Sequence, residues 1–140
     1  METEETRKLI DTYYRALTSG DRDTVASLVA DDCVWLPPST ADFGPIEGGD
    51  AVVAELTGDV VKRTFDISKP FNLDVRSVIV DGDKAVVQQR LTATAKATGA
   101  EYDNQYCWVY TCRDGRIVHM EEYADTLLAS RVMGWDQAEA

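Results

Sequence analysis

The sequence predicts an α+β fold in which helices pack against one strongly curved sheet. Apolar residues recur with helical spacing only in about the first sixty positions, whereas segments from residue 71 onward alternate with a period of two. Helices segregated from a run of antiparallel strands are typical of the α+β class. Predicted strands of 10–13 residues are too long to stay flat, so the sheet should curl into a cone-shaped barrel, mixed or antiparallel. About three N-terminal helices would then pack over its concave face.

The N-terminal part predicts these three helices and one strand. Residues 4–18 carry one apolar stripe and end at Gly20, and either Asp21 or Asp23 can cap a second short helix. A short strand at 33–36 ends at two prolines, and residues 38–49 are predicted as a loop. Asp50 caps the third helix, which is predicted to extend through Val60.

The C-terminal part predicts four long strands. They cover residues 71–81, 84–97, 101–113 and 116–124, and glycine-containing turns join them. Asp125 or Thr126 caps a final helical turn. The sequence therefore predicts one domain over residues 1–134 and a flexible C-terminal tail at 135–140.

Composition excludes several classes of partner. A formal net charge of −11 argues against nucleic acids and anionic membrane surfaces, which both attract clustered Lys and Arg. No apolar run approaches the ~20 residues that span a bilayer, and the acidic N-terminus does not resemble a secretory signal. We therefore expect a cytoplasmic protein with free thiols. With one histidine and no Cys-x-x-Cys, the sequence has no zinc cluster, and its carboxylates, although a site built from them stays an alternative, lack the spacing of a calcium loop. We predict no metal site and no cofactor.

The order of elements and several motifs resemble the nuclear transport factor two-like superfamily, in particular its SnoaL-like, ketosteroid isomerase-like branch. The resemblance covers about residues 5–134. It rests on Tyr13-Tyr14-Arg15-Ala16-Leu17-Thr18-Ser19-Gly20-Asp21, Leu28-Val29-Ala30-Asp31-Asp32-Cys33-Val34-Trp35, Glu47-Gly48-Gly49-Asp50-Ala51-Val52, Asp114-Gly115-Arg116-Ile117 and Glu122-Tyr123-Ala124-Asp125.

The catalytic sets of these relatives are only partly present. The oxyanion-hole tyrosine of ketosteroid isomerases falls on Tyr13, but their aspartate base falls on Pro37, and their strand carboxylic acid falls at Tyr106 or Cys107. The protonated carboxylic acid that donates a hydrogen bond in those enzymes therefore has no counterpart here. In limonene epoxide hydrolases, the resemblance keeps the arginine as Arg90 and the second acid as Glu122, but it loses an aspartate at Thr92.

The resemblance implies that Arg90 points into the cone, and the pleat then assigns the other inward residues. On this basis Glu122, Arg90 and Tyr13 are the predicted catalytic residues. The predicted substrate-binding residues are Trp35, Gln88, Thr92, Asn104, Tyr106, Trp108 and Met120. For Glu122 and Arg90, a structural ion pair is the alternative; for Tyr13, Trp35 and Trp108 it is core packing.

Three functions follow from this site. The first is an enzyme that binds a hydrophobic small molecule and acts by cofactor-independent acid–base chemistry, as an isomerase, cyclase, dehydratase or epoxide hydrolase. The second is a module that binds such a ligand without chemistry. The third is an interaction module: the resemblance implies a homodimer through the outer sheet face around Cys107 and Val109, which is compatible with either of the others.

Overall fold

Six strands form one curved, unclosed sheet in the order β2-β1-β6-β5-β4-β3. The computed structural model describes residues 1–41 and 43–135. The strands are β1 Val29–Leu36, β2 Ile46–Glu47, β3 Asn72–Asp81, β4 Lys84–Thr94, β5 Glu101–Arg113 and β6 Arg116–Ala124. The helices are α1 Thr3–Ser19, α2 Arg22–Leu28, α3 Gly49–Ala54, α4 Val60–Thr64 and α5 Thr126–Met133, and a π-helical turn, Glu55–Asp59, joins α3 to α4.

The sheet is mixed, as predicted. Strands β3 to β6 pair antiparallel with their neighbours, whereas β1 pairs in parallel with β6. The first long strand of the chain therefore lies beside the last one. The predicted bounds of β5 and β6 are confirmed, and β4 ends three residues earlier than predicted because residues 95–97 leave the ladder for the turn at Gly99.

Three predicted helix ends are confirmed, but the predicted cap of the third helix is wrong: Asp50 lies inside α3, whose N-cap is Gly48 without a side-chain hydrogen bond. Gly20 follows α1 with a φ of 74°, a conformation that favours glycine. Asp21 caps α2 by accepting a hydrogen bond from the Thr24 amide at 3.1 Å, and Asp125 caps α5 in the same way from the Leu128 amide at 3.1 Å. Asp125 is thereby fixed at the end of β6, beside the concave face of the sheet.

Gly49 sets the closest approach between α3 and β1. It is buried, and a Cβ atom added to it would lie 2.3 Å from the carbonyl oxygen of Ala30. Only glycine therefore allows α3 to begin against this strand. This contact explains the glycine at position 49, and the φ of 96° at Gly48 favours the glycine before it.

Two clusters of buried side chains fill the space between sheet and helices. The larger cluster joins α1, α2 and α3 to β1 and to the inner residues of β4, β5 and β6. The smaller one joins α5 to Phe65, Leu91, Ala93 and Tyr102, and Trp135 packs against it. Residues 136–140 of the tail predicted at 135–140 lie outside the described residues. Within the described ranges, no helix has the length and apolar character needed to cross a membrane.

Candidate functional site

A cavity of about 510 Å³ lies between the concave face of the sheet and the surrounding helices. Its size falls within the range of sites that hold small molecules, about 300–1,000 Å³. Aromatic side chains from four parts of the chain form much of its wall: Trp35, Phe43, Phe65, Tyr102, Tyr106 and Trp108. Such a wall favours an apolar or aromatic ligand.

Glu122 places a carboxyl group in this cavity. It lies on β6 directly opposite Trp108 of β5, and the indole N–H of Trp35 donates a hydrogen bond to its Oε1 at 3.0 Å. Desolvation by burial raises the pKa of Glu122 to about 7, although the hydrogen bond from Trp35 acts in the opposite direction. At neutral pH this group can therefore both accept and donate a proton.

No cation balances Glu122 among residues 1–41 and 43–135. The ion pairs of the described residues involve other carboxylates. A positive charge beside a carboxylate would lower its pKa. The absence of such a neighbour explains why burial dominates the protonation of Glu122.

The prediction that Arg90 points into the cone beside Glu122 is wrong. Arg90 lies on the outer face of β4, where its guanidinium donates two hydrogen bonds to Asp103 at 2.8 and 2.6 Å. The predicted positions of Gln88 and Thr92 are wrong for the same reason, since residues two apart on a strand share a face. The inward face of β4 consists instead of Ala85, Val87, Gln89, Leu91 and Ala93.

The pleat predicted for β5 is confirmed. Tyr102, Asn104, Trp108, Tyr110 and Cys112 are buried on its inner face, together with the partly buried Tyr106. Tyr106, Trp108 and Tyr110 line the cavity, and the rings of Trp108 and Tyr110 stack with their centroids 5.9 Å apart. These aromatic side chains are part of the cavity wall that the sheet contributes.

Asn104 lies behind the cavity lining. Its Nδ2 donates to the Tyr102 hydroxyl at 2.7 Å and to the Asp125 carbonyl at 3.1 Å, and its Oδ1 accepts from the Gln105 amide at 2.8 Å. These contacts occupy its amide, so Asn104 orients Tyr102 and does not face a ligand. The Tyr102 hydroxyl in turn lies 2.6 Å from that of Tyr106.

Tyr13 lines the cavity from α1, within a cluster of three tyrosines. Its ring meets those of Tyr14 and Tyr110 edge to face, and the hydroxyls of Tyr14 and Tyr110 lie 2.6 Å apart. Burial raises the pKa of Tyr13, Tyr14 and Tyr110 well above the usual value of tyrosine. Each therefore stays neutral and keeps a proton to donate.

The structure thus brings part of the predicted site together. Glu122, Tyr13, Trp35, Tyr106 and Trp108 meet at the cavity. Met120 faces inward but is fully buried in the core and does not reach the cavity, so its predicted ligand contact is wrong. The lining residues that were not predicted include Tyr102, which shares the inward face of β5, and Gln89, whose neighbours Val87 and Leu91 have the apolar character of a buried face.

Gln89 carries an unpartnered polar atom in this lining. Its side chain is 5% exposed, and its Oε1 has no hydrogen-bond partner among the described residues. The indole nitrogen of Trp108 also has no hydrogen-bond partner among the described residues. The buried Oε2 of Glu55 has no hydrogen bond there either, but it lies 3.6 Å from the guanidinium of Arg63. Leaving a buried oxygen such as the Gln89 Oε1 without a hydrogen bond costs about 1–3 kcal/mol.

Metal-binding groups are not found in the part of the chain that the structure describes. No three His, Cys, Asp or Glu side chains come together there in a way that could hold an ion. Glu122 and the tyrosine hydroxyls place acid–base groups at the aromatic wall of the cavity, whose lining also includes Asp21, Glu55 and Asp74.

A model of the SnoaL-like domain matches residues 10–120, which is most of the chain. The chain belongs to the SnoaL-like family. Among curated proteins, no sequence matches that of this SnoaL-like chain.

Solved structures share the fold of this SnoaL-like domain. Bal32a, from a soil-derived mobile gene cassette, is 22% identical with a TM-score of 0.82, over 95% of this chain and 99% of its own. An LEH-like epoxide hydrolase of M. tuberculosis is 21% identical with a TM-score of 0.72, over 94% and 86%. A protein assigned as a SnoaL-like polyketide cyclase from Jannaschia sp. CCS1 is 20% identical with a TM-score of 0.73, over 91% and 92%.

Proposed function

We propose that this SnoaL-like protein is an enzyme that moves a proton on a largely apolar small molecule, without a cofactor, and that Glu122 is its catalytic base. One observation carries the proposal. A carboxyl group lies in an aromatic cavity with a single hydrogen bond from Trp35, and burial raises its pKa to about 7. A base with this pKa is matched to chemistry at neutral pH.

A desolvated carboxylate beside tyrosine hydroxyls suits the removal of a proton next to a carbonyl. The Glu122 carboxylate takes the proton from carbon, and the electron pair moves onto the carbonyl oxygen to give an enolate. A hydroxyl of Tyr13 or Tyr106 can donate a hydrogen bond to that oxygen, because both side chains line the cavity and stay protonated. Returning the proton from Glu122 to another carbon completes an isomerisation. Attack of the enolate carbon on a second carbonyl, whose oxygen then takes the proton from Glu122, completes a cyclisation.

The structural neighbours support this class of reaction without naming a substrate. An LEH-like epoxide hydrolase and a protein assigned as a polyketide cyclase share the fold at 20–21% identity, so the fold is compatible with either kind of reaction. Epoxide opening by a Glu122-activated water is the second candidate within the same proposal. It needs a proton donor for the epoxide oxygen, a role for which the tyrosine hydroxyls are available.

Deuterium exchange tests the proposal directly. A small apolar ketone such as indanone is incubated with the protein in D₂O, and exchange of its α-protons is followed by NMR. We expect wild-type protein to accelerate exchange and Glu122→Gln to return it to the solvent rate. Glu121→Gln is the matched control, because the neighbouring Glu121 lies on the other face of β6 and accepts a hydrogen bond from Tyr123.

Circular dichroism of each variant separates loss of activity from loss of fold. The proposal fails if Glu122→Gln remains folded and keeps the wild-type exchange rate. Binding of the ketone by wild-type protein without any acceleration would favour the non-catalytic module instead.

The homodimer stays a prediction. The outer face of the sheet around Val109 and Cys107 is only half covered, and Ile79 and Tyr123 on this face are 61% and 54% exposed. Light scattering after size exclusion measures the mass in solution, and a monomer at micromolar concentration would contradict the prediction.

A further inference from the structure

We infer that Gln89 is a second binding contact of the cavity, and that the substrate carries a hydroxyl group at the end away from its reacting centre. The inference rests on the proposed function, because it assigns a further contact to the same substrate. The proposed proton transfer does not itself use the Gln89 side chain.

Gln89 is a polar residue in an otherwise apolar row. Its inward neighbours on β4 are Val87 and Leu91, and all three side chains are buried. The Gln89 side chain lines the cavity, while its Oε1 has no partner within the described ranges. Buried polar side chains normally have hydrogen-bond partners, and because the Oε1 is enclosed in this rotamer, a molecule in the cavity would supply the missing partner when the amide turns toward it.

The sheet register fixes where this contact lies relative to Glu122. Gln89 pairs with Tyr106 of β5, and Tyr106 pairs with Ala124 of β6, two residues beyond Glu122. Two strand spacings and this offset separate the backbones of Gln89 and Glu122 by roughly 10–12 Å. Tyr106 and Trp108 line the cavity on the strand between them.

The amide group defines the chemistry of the partner. Rotation of the Gln89 amide exchanges its oxygen and its NH₂ group, so the residue can accept or donate a hydrogen bond at one place. A hydroxyl group can do both and therefore fits either orientation. The geometry points to a flat apolar molecule with the reacting group at Glu122, aromatic contacts along its middle and a hydroxyl at Gln89.

Two rigid ligands test this inference. Biphenyl has no polar group, and p,p′-biphenol has the same skeleton with a hydroxyl at each end. Their dissociation constants are measured by equilibrium dialysis with wild-type protein, Gln89→Leu and Gln88→Leu. Gln88 is the matched control because the same residue type, one position earlier, points outward and accepts a hydrogen bond from Ser77 at 2.7 Å.

We expect Gln89→Leu to weaken binding of p,p′-biphenol by about three- to tenfold, as for the loss of one hydrogen bond, and to leave biphenyl unaffected. Gln88→Leu should change neither constant. Gln89→Met, which keeps the length of the side chain, should reproduce the Leu result and separates a packing defect from the lost amide. Circular dichroism checks that each variant is folded.

The inference is overturned if Gln89→Leu and Gln89→Met leave p,p′-biphenol binding unchanged, if they weaken both ligands equally, or if wild-type protein binds neither ligand. Failure of the proposed function looks different. In that case Glu122→Gln keeps the exchange rate of the ketone, while the effect of Gln89 on p,p′-biphenol persists, because dialysis measures binding without turnover.

Discussion

The indole N–H of Trp35 donates a 3.0 Å hydrogen bond to Glu122, and this bond joins β1 to β6 inside the cone. It is the only hydrogen bond that the described residues give to this carboxyl group. Trp35 is itself held by Phe43 and Trp108, with ring centroids 5.3 and 5.7 Å away. The carboxyl group is thereby oriented by an aromatic cluster and not by a charge.

The pH dependence of activity should report this arrangement. If ionised Glu122 is the base, kcat/KM rises with pH to a plateau, with a midpoint near the Glu122 pKa of about 7. Trp35→Phe removes a hydrogen bond that stabilises the ionised form, so the midpoint should move to higher pH. Initial rates over a pH series measure the shift, and an unchanged midpoint in the folded variant would show that the indole does not control this group.

Stability should respond to pH in the opposite sense. The pKa of Glu122 is about 7 in the folded protein against an ordinary value of 4.5, so the folded state holds the proton more tightly. The free energy of unfolding therefore falls as the pH rises from about 4.5 to 7 and stays lower above that, by about 3 kcal/mol. Glu122→Gln removes this penalty while an oxygen remains to accept from Trp35.

We accordingly expect Glu122→Gln to be more stable than wild type by up to about 3 kcal/mol at pH 8, and by less than about 1 kcal/mol at pH 5. Urea unfolding at both pH values measures the difference. Equal destabilisation of the variant at pH 5 and pH 8 would mean that ionisation of Glu122 does not destabilise the folded protein.

Arg90 should be dispensable for activity. Its guanidinium binds Asp103 on the outer face of the sheet, where solvent screens the pair. Arg90→Ala should therefore leave kcat/KM and the binding of p,p′-biphenol unchanged, as assayed alongside wild type. Loss of turnover in a folded Arg90→Ala protein would instead support the catalytic role of Arg90 that the resemblance implied.

Gly49→Ala should destabilise the fold. The new methyl group would lie 2.3 Å from the Ala30 carbonyl oxygen, which forces the start of α3 away from β1. Overpacking of this kind costs about 1–3 kcal/mol. Gly44→Ala is the control, because a Cβ atom there meets nothing within 4 Å. Thermal melts of the two variants compare them, and equal melting temperatures would contradict the tight contact.

The sequence was sufficient for most of the fold because its local signals agree. Gly20, Asp21 and Asp125 end or begin helices by backbone chemistry that needs no tertiary information. The alternation on β5 separates aromatic from small polar side chains, so its inner face could be read directly. Glu122 was placed at the cavity by the resemblance, together with the alternation along β6.

The orientation of β4 was predicted from the resemblance and not from its own pattern. An inward Arg90 required Gln88 and Thr92 to face the cone, whereas the alternating apolar residues Val87 and Leu91 indicate the opposite face. Because side chains alternate along a strand, the inward assignment of Arg90 placed every side chain of β4 on the wrong face of the sheet. The Trp35–Glu122 bond and the unpartnered Gln89 depend on tertiary packing, and no local pattern encodes them.

The parallel pairing of β1 with β6 has a consequence for how the site forms. Trp35 and Glu122 are 87 residues apart in the chain, and the ladder between their strands closes only when residues 116–124 are in place. Closing so long a loop has an entropic cost that must be met before the contacts form, which slows folding. During synthesis on the ribosome, Trp35 emerges long before Glu122, its hydrogen-bond acceptor, so the acid–base centre is among the last features to assemble.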